Sequence, residues 1–323
     1  MKNKGNWIHI VFLVAIVTII GIAAFRLYKW NKGTDREADI EQIDPAEFDV
    51  EALDMILPMD AALLEGHEDD ELNILCLGNN PFSDERDEDG LAFKIGQRTD
   101  ADHVYNCAFP DSSAACKYAE YNPDYVLDHF NFYYVVNFLA QQSFTAIQSI
   151  ASNNPDPRYL EAAMEMETVD MDKIDVILIM YDSTDYNNGT PTDNPNNEYD
   201  ITAFTGGLTV GLNLIKQTWP WIRIYVMTPT YALYLDEDGE MHSGTTYNAG
   251  NGALPHYVQK EIDATMACGV SIVDNFYGTI NEDNYSDYMK DEKRYNENGR
   301  NLLADRIAYI INNKMSVVSA QQG

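Results

Sequence analysis

The sequence predicts a three-layer α/β domain built on a five-stranded parallel sheet. Short apolar runs recur at Leu72–Leu77, His103–Cys107, Asp175–Met180, Ile222–Met227 and Val270–Val273. Segments of helical spacing lie between them, and strands alternating with helices make βαβ units with parallel pairing. The chain has 323 residues, 45% of them hydrophobic, enough for one large core and an appendage. Formal net charge is −31. Nucleic-acid binding needs clustered Lys and Arg, so that class is excluded.

Residues 5–25 carry no Asp, Glu, Lys or Arg, and Trp7, Tyr28 and Trp30 flank the run. It matches the roughly 20 residues that cross a bilayer as a helix, with aromatics at the interfaces. The apolar run exceeds the 7–15 residues of a signal-peptide core. Residues 1–32 are therefore expected to be a single-pass transmembrane anchor, with the main domain extracytoplasmic. Residues 33–70 read as an acidic spacer, with short helices expected at Ala46–Met55 and Ala61–Leu64. The α/β domain spans 71–314, and 315–323 form a tail.

The first strand stops at Gly78-Asn79-Asn80, a tight polar loop. Ligands of open parallel sheets sit beyond the carboxyl ends of strands, so this loop is the first place to look for chemistry. Helical spacing follows at Leu91–Arg98. Asp111-Ser112-Ser113 is a suitable cap for a helix through Tyr118. Residues 124–151 read as one long helix whose Tyr133, Tyr134, Phe138 and Phe144 belong to the core. Further helices are expected at Pro157–Glu167, Ile201–Thr218, His256–Cys268 and Asn296–Asn313. A hairpin or lid is expected within 231–252, around the turn Asp236-Glu237-Asp238-Gly239.

Cys76 and Cys268 sit at strand positions and are expected to be buried; a Cys107–Cys116 bridge stays open. No Cys-x-x-Cys or His-rich spacing suggests zinc. The acidic loops holding Asp84, Asp87, Asp89, Asp111, Asp182 and Asp185 lack EF-hand spacing. No metal and no cofactor are expected.

Four blocks in order resemble the SGNH/GDSL hydrolase superfamily over residues 71–314: Gly78-Asn79-Asn80, Asn106–Asp111, Asp182-Ser183-Thr184-Asp185, and Asp291–Gly299 with its following helix. The resemblance implies a flavodoxin-like sandwich and ester hydrolysis, including acetyl groups on glycans and lipids. It also implies a serine where Asn80 stands, glycine where Asp111 stands, asparagine where Thr184 stands and histidine where Arg294 stands. An amide is no nucleophile of that kind, and arginine stays protonated. The expected site is thus a degenerate pocket of Gly78, Asn79, Asn80, Asp111, Asp182, Ser183, Thr184, Asp185, Asp291 and Arg294. Arg294 either pairs with Asp291 or holds an anionic group.

Two functions follow. One is a membrane-anchored domain that binds a cell-envelope glycan or protein partner without the family mechanism. The alternative is an active esterase with a relocated nucleophile. Ser83 and Ser112 are its candidates, with Ser183 on a neighbouring loop and His242 or His256 as base.

Overall fold

The computed structural model describes residues 54–67 and 69–318. The expected anchor and the Ala46–Met55 helix up to residue 53 lie outside them. Among the described residues no helix is long and apolar enough to cross a membrane.

The central sheet joins β1 (Asn73–Gly78), β2 (His103–Asn106), β3 (Val176–Met180), β4 (Arg223–Met227) and β5 (Ser271–Val273). Its order is β2-β1-β3-β4-β5, and every pairing is parallel. β1, β3, β4 and β5 are buried along their whole length, which explains why they are mostly apolar rather than alternating. Alternate residues face opposite layers. Leu75, Leu77, Ile177, Ile179 and Val226 join one core with α2 (Phe132–Gln141), α3 (Thr145–Ser152), α4 (Pro157–Thr168), α5 (Phe204–Thr218) and α6 (Leu254–Ala267). Ile74, Cys76, Leu178, Met180 and Met227 join the other with α1 (Leu91–Thr99) and α7 (Glu297–Lys314).

The edge of β5 is covered. Met55 and Ile272 exchange N–H···O bonds of 3.0 Å, and Leu57 N donates to Ser271 Oγ at 3.0 Å. Met59–Asp60 then pairs with Val317–Val318. Such covering removes a free strand edge. The expected hairpin forms from Leu233–Leu235 and Met241–Ser243.

Two helix expectations are corrected. Residues 111–125 are irregular. Asp111 adopts a left-handed φ of 49°, and distant carboxylates take the N–H groups a helix would use. Asp185 accepts from Ala114 N at 2.8 Å and Ala115 N at 3.3 Å. Asp128 accepts from Lys117 N at 2.7 Å and Tyr118 N at 3.0 Å. Gly207 lets α5 approach this segment, since a Cβ there would meet Ala114 O at 2.4 Å. The stretch 124–151 is also divided. A 3-10 turn covers Val126–Phe130, and α2 stops where Gln142 turns left-handed at φ 49°. Phe138 and Phe144 pack on the core as expected. All four cysteines are buried free thiols, so no Cys107–Cys116 bridge is present.

Candidate functional site

β1 and β3 are neighbours in the sheet, but their following connections leave to opposite sides. The topological switch point of a doubly wound sheet is formed this way, and it opens a crevice at the carboxyl ends. Gly78 ends β1 at φ 138°, and a Cβ there would lie 1.9 Å from Met180 O. Only glycine lets the two strand ends run this close. Asn79 and Asn80 therefore sit directly against Asp182, which follows β3.

The geometry is a closed network. Asn79 Nδ2 donates to Asp182 Oδ1 and to Ser112 O, both at 2.8 Å, and Asp182 N donates back to Asn79 Oδ1 at 2.9 Å. Asn80 Nδ2 donates to Asp182 Oδ2 at 2.8 Å and Asp111 Oδ1 at 3.1 Å. Asp111 N donates to Asn80 Oδ1 at 3.0 Å. Thr184 donates to Asp182 Oδ1 through its N–H at 2.9 Å and its hydroxyl at 2.5 Å. Asn79, Asn80, Asp182 and Thr184 are all buried. Their polar atoms are matched to each other, the condition for burying such a network.

Lys293 completes the network. Its Nζ donates to Asp111 Oδ1 at 3.1 Å and to Thr184 Oγ1 at 3.2 Å. Burial pulls the ammonium pKa down, but Asp182 and Asp111 outweigh it and hold it above the ordinary lysine value. Lys293 is therefore a cation at neutral pH and not a base for the Thr184 hydroxyl. Burial likewise pushes Asp111 up, yet Lys293, Asn80 and Arg294 hold its carboxyl below the usual range.

Arg294 is further out and more loosely placed. It lies 3.7 Å from Asp84, 3.8 Å from Asp111 and 3.9 Å from Asp291. Asp291 Oδ1 accepts from Arg294 N at 2.9 Å and Lys293 N at 3.2 Å, which shapes the turn that presents both side chains. Burial lifts Asp84 to about 6, with Arg294 and Arg158 opposing. Asp185 faces away, bound to the Ala114 and Ala115 N–H groups, and burial lifts it to about 7. Ser183 is buried with an unpartnered hydroxyl.

The serines named as alternative nucleophiles do not meet a base. Ser83 is fully buried and its Oγ has no partner. Ser112 Oγ donates to Phe109 O at 3.0 Å. His242 Nε2 is 2.7 Å from Asp236, and His256 Nε2 is 3.4 Å from Thr192 Oγ1. Among the described residues no serine is hydrogen-bonded to a histidine.

Sequence reasoning missed Lys293. The frame Asp291–Gly299 directs attention to residue 294, and nothing in residue type separates one basic neighbour from the other. The burial difference gives a prediction. Lys293→Met should cost about 1–3 kcal/mol, because the Asp111 carboxylate and the Thr184 hydroxyl lose a largely buried charged donor. Arg294→Ala should cost about 1 kcal/mol or less, as exposed pairs do. Urea denaturation of both variants checks the order, and the reverse order would refute it.

No family model and no curated protein matches the chain. Solved structures do. One covers 74% of this chain and 94% of its own, at 16% identity and a TM-score of 0.54. A protein from Lactobacillus plantarum covers 76% and 99%, at 13% identity and a TM-score of 0.50. A protein described as a possible lipase, from Chitinophaga pinensis, covers 76% and 99% at 13% identity and a TM-score of 0.47. At these identities the likeness is one of fold alone, an α/β fold on a five-stranded parallel sheet.

Proposed function

We propose that this chain is a single-pass, membrane-anchored domain that binds a cell-envelope glycan or protein partner and does not hydrolyse esters. The carrying observation is the placement of Asn80. It stands at the nucleophile position of the resemblance, donates its amide to Asp182 and Asp111, and takes the Asp111 N–H on its carbonyl oxygen. That N–H is the one the resemblance assigns to a developing oxyanion. Nucleophile position and oxyanion donor thus satisfy each other within the protein. An oxyanion hole works only when its donors are free to meet the charge as it forms. The Thr184–Lys293 contact does not replace the lost pair, since a base must arrive without its proton. The apolar run 5–25 supports the anchor, and the acidic surface suits a solvated domain beyond it.

The test is hydrolysis of p-nitrophenyl acetate and an acetylated glycan by the full chain in detergent, with labelling by a serine-reactive fluorophosphonate. The expected result is no turnover above the buffer rate and no label on folded protein. Turnover that disappears in Ser83→Ala or Ser112→Ala would establish the relocated esterase instead.

A further inference from the structure

Beside the Asn80 network, the segments 113–131 and 188–202 enclose a cleft of about 370 Å³. None of Asn80, Asp182 and Lys293 lines it. We propose that this cleft binds a carbohydrate unit bearing a carboxylate. The inference rests on reading the domain as a binding module, and it names what that module takes.

Apart from Lys117 the lining is uncharged, and more of it is polar than apolar. It includes Ser113, Asn188, Thr190 and Thr202, with the ring of Tyr125 and with Lys117. The Ser113 hydroxyl and the Asn188 carboxamide make no side-chain hydrogen bond among the described residues, so both remain for a ligand. Hydroxyls and carboxamides each donate and accept, which matches the vicinal hydroxyls of a sugar ring. The volume falls within the range of small-molecule sites, about 300–1,000 Å³.

The walls are held in place. Asp185 is 2% exposed and ties the 188–202 side to the backbone of Ala114 and Ala115. Asn131 Nδ2 donates to Ala115 O at 2.8 Å, and Asn131 Oδ1 accepts from Ser113 N at 3.0 Å. A cleft fixed this way loses little freedom on binding.

The charge points to an acid. Lys117 Nζ sits 4.5 Å from the centroid of the Tyr125 ring and forms no ion pair among the described residues. The carboxylate beside it, Asp128, is directed to the backbone N–H groups of Lys117 and Tyr118 and to Asn131 Nδ2. In a chain with 52 acidic side chains, an ammonium at a cleft rim that is ion-paired to no carboxylate among the described residues is the local feature that admits an anion. Seating it on an aromatic face orients it.

Calorimetric titration of the full chain in detergent tests this with two probes, tetragalacturonate and neutral galactotetraose, which differ in their carboxylates. The acidic oligosaccharide should bind saturably and the neutral one at least about tenfold more weakly. Lys117→Met should abolish that preference, Lys117→Arg should keep it, and Asn188→Ala should weaken both probes. Equal binding of the two probes, indifference to Lys117→Met, or no binding of either would overturn the inference. Binding that responds to Arg294→Ala but not to Lys117→Met would overturn it while leaving the binding function standing. Ester turnover would instead remove the reading on which it rests.

Discussion

Arg306→Met should destabilise the domain by about 3–5 kcal/mol, on the order of a 10 °C fall in melting temperature. Arg306 on α7 bonds Asp54 Oδ1 at 2.6 Å, and the two side chains are 3% and 0% exposed. The same guanidinium donates to Asp274 O at 3.1 Å, and Asp54 Oδ1 accepts from Asp274 N at 2.9 Å. The pair therefore joins the start of the described chain, the end of β5 and the last helix. Burial pushes the Asp54 carboxyl up while Arg306 pulls it down. Removing Arg306 leaves a buried carboxylate with no counter-charge. That group then takes up a proton in the native state, so the loss should be smaller near pH 4 and larger near pH 8. Replacing both partners tests the cause. Asp54→Asn with Arg306→Met should recover most of the loss, because a buried pair breaks even against neutral groups far more nearly than against one orphaned charge. A loss under about 1 kcal/mol in the single variant, or no recovery in the double, would sink the account.

The sheet was legible in the sequence because its strands are covered on both faces. β3 reads as Val-Ile-Leu-Ile-Met without a polar residue, and nothing but a buried strand or a short core helix fits such a run. α7 was equally plain, since Asn296 caps it by accepting from Gly299 N. The segment 111–131 was not. Its N–H groups are held by Asp185, 71 residues from Ala114, and by Asp128, and local pattern carries no sign of a partner that distant. The site was half legible. The resemblance marked Asn79, Asn80, Asp111, Asp182 and Thr184, which the structure brings into one network. Lys293 joins it only because the turn capped by Asp291 presents two successive basic side chains to the same crevice. Asp54 was lost among the many acids of the spacer, where composition reads every carboxylate as solvated.

Glu261 is the other acid that composition hides, and it carries the second large effect. Glu261→Gln should raise the melting temperature at pH 8 and change it little at pH 4. Tyr257, Val258 and Thr265 share the buried face of α6 with Glu261, which is 1% exposed, and its Oε2 has no partner. Burial pushes its pKa well above the usual carboxylate value, and Asp185 and Asp274 push it further. The native state thus keeps a proton that the unfolded chain releases above its ordinary pKa of 4.5. The sign follows from linkage. Where the native state binds more protons, stability falls as pH rises. The contribution is full below the unfolded pKa and is lost as pH climbs toward the native one, at about 1.4 kcal/mol per pH unit. For a domain of this size that corresponds to roughly 3–5 °C per unit. Glutamine has the same shape and no proton to retain, so the gap between variant and parent should widen across that interval. Asp185, lifted to about 7 by burial, titrates with the same sign in both proteins and cancels in the comparison. Melting curves from pH 4 to 8 decide it, and parallel curves for the two proteins would refute the assignment. Glu261→Met should gain more than Glu261→Gln at every pH, since it also removes the unpartnered polar atom whose burial costs about 1–3 kcal/mol.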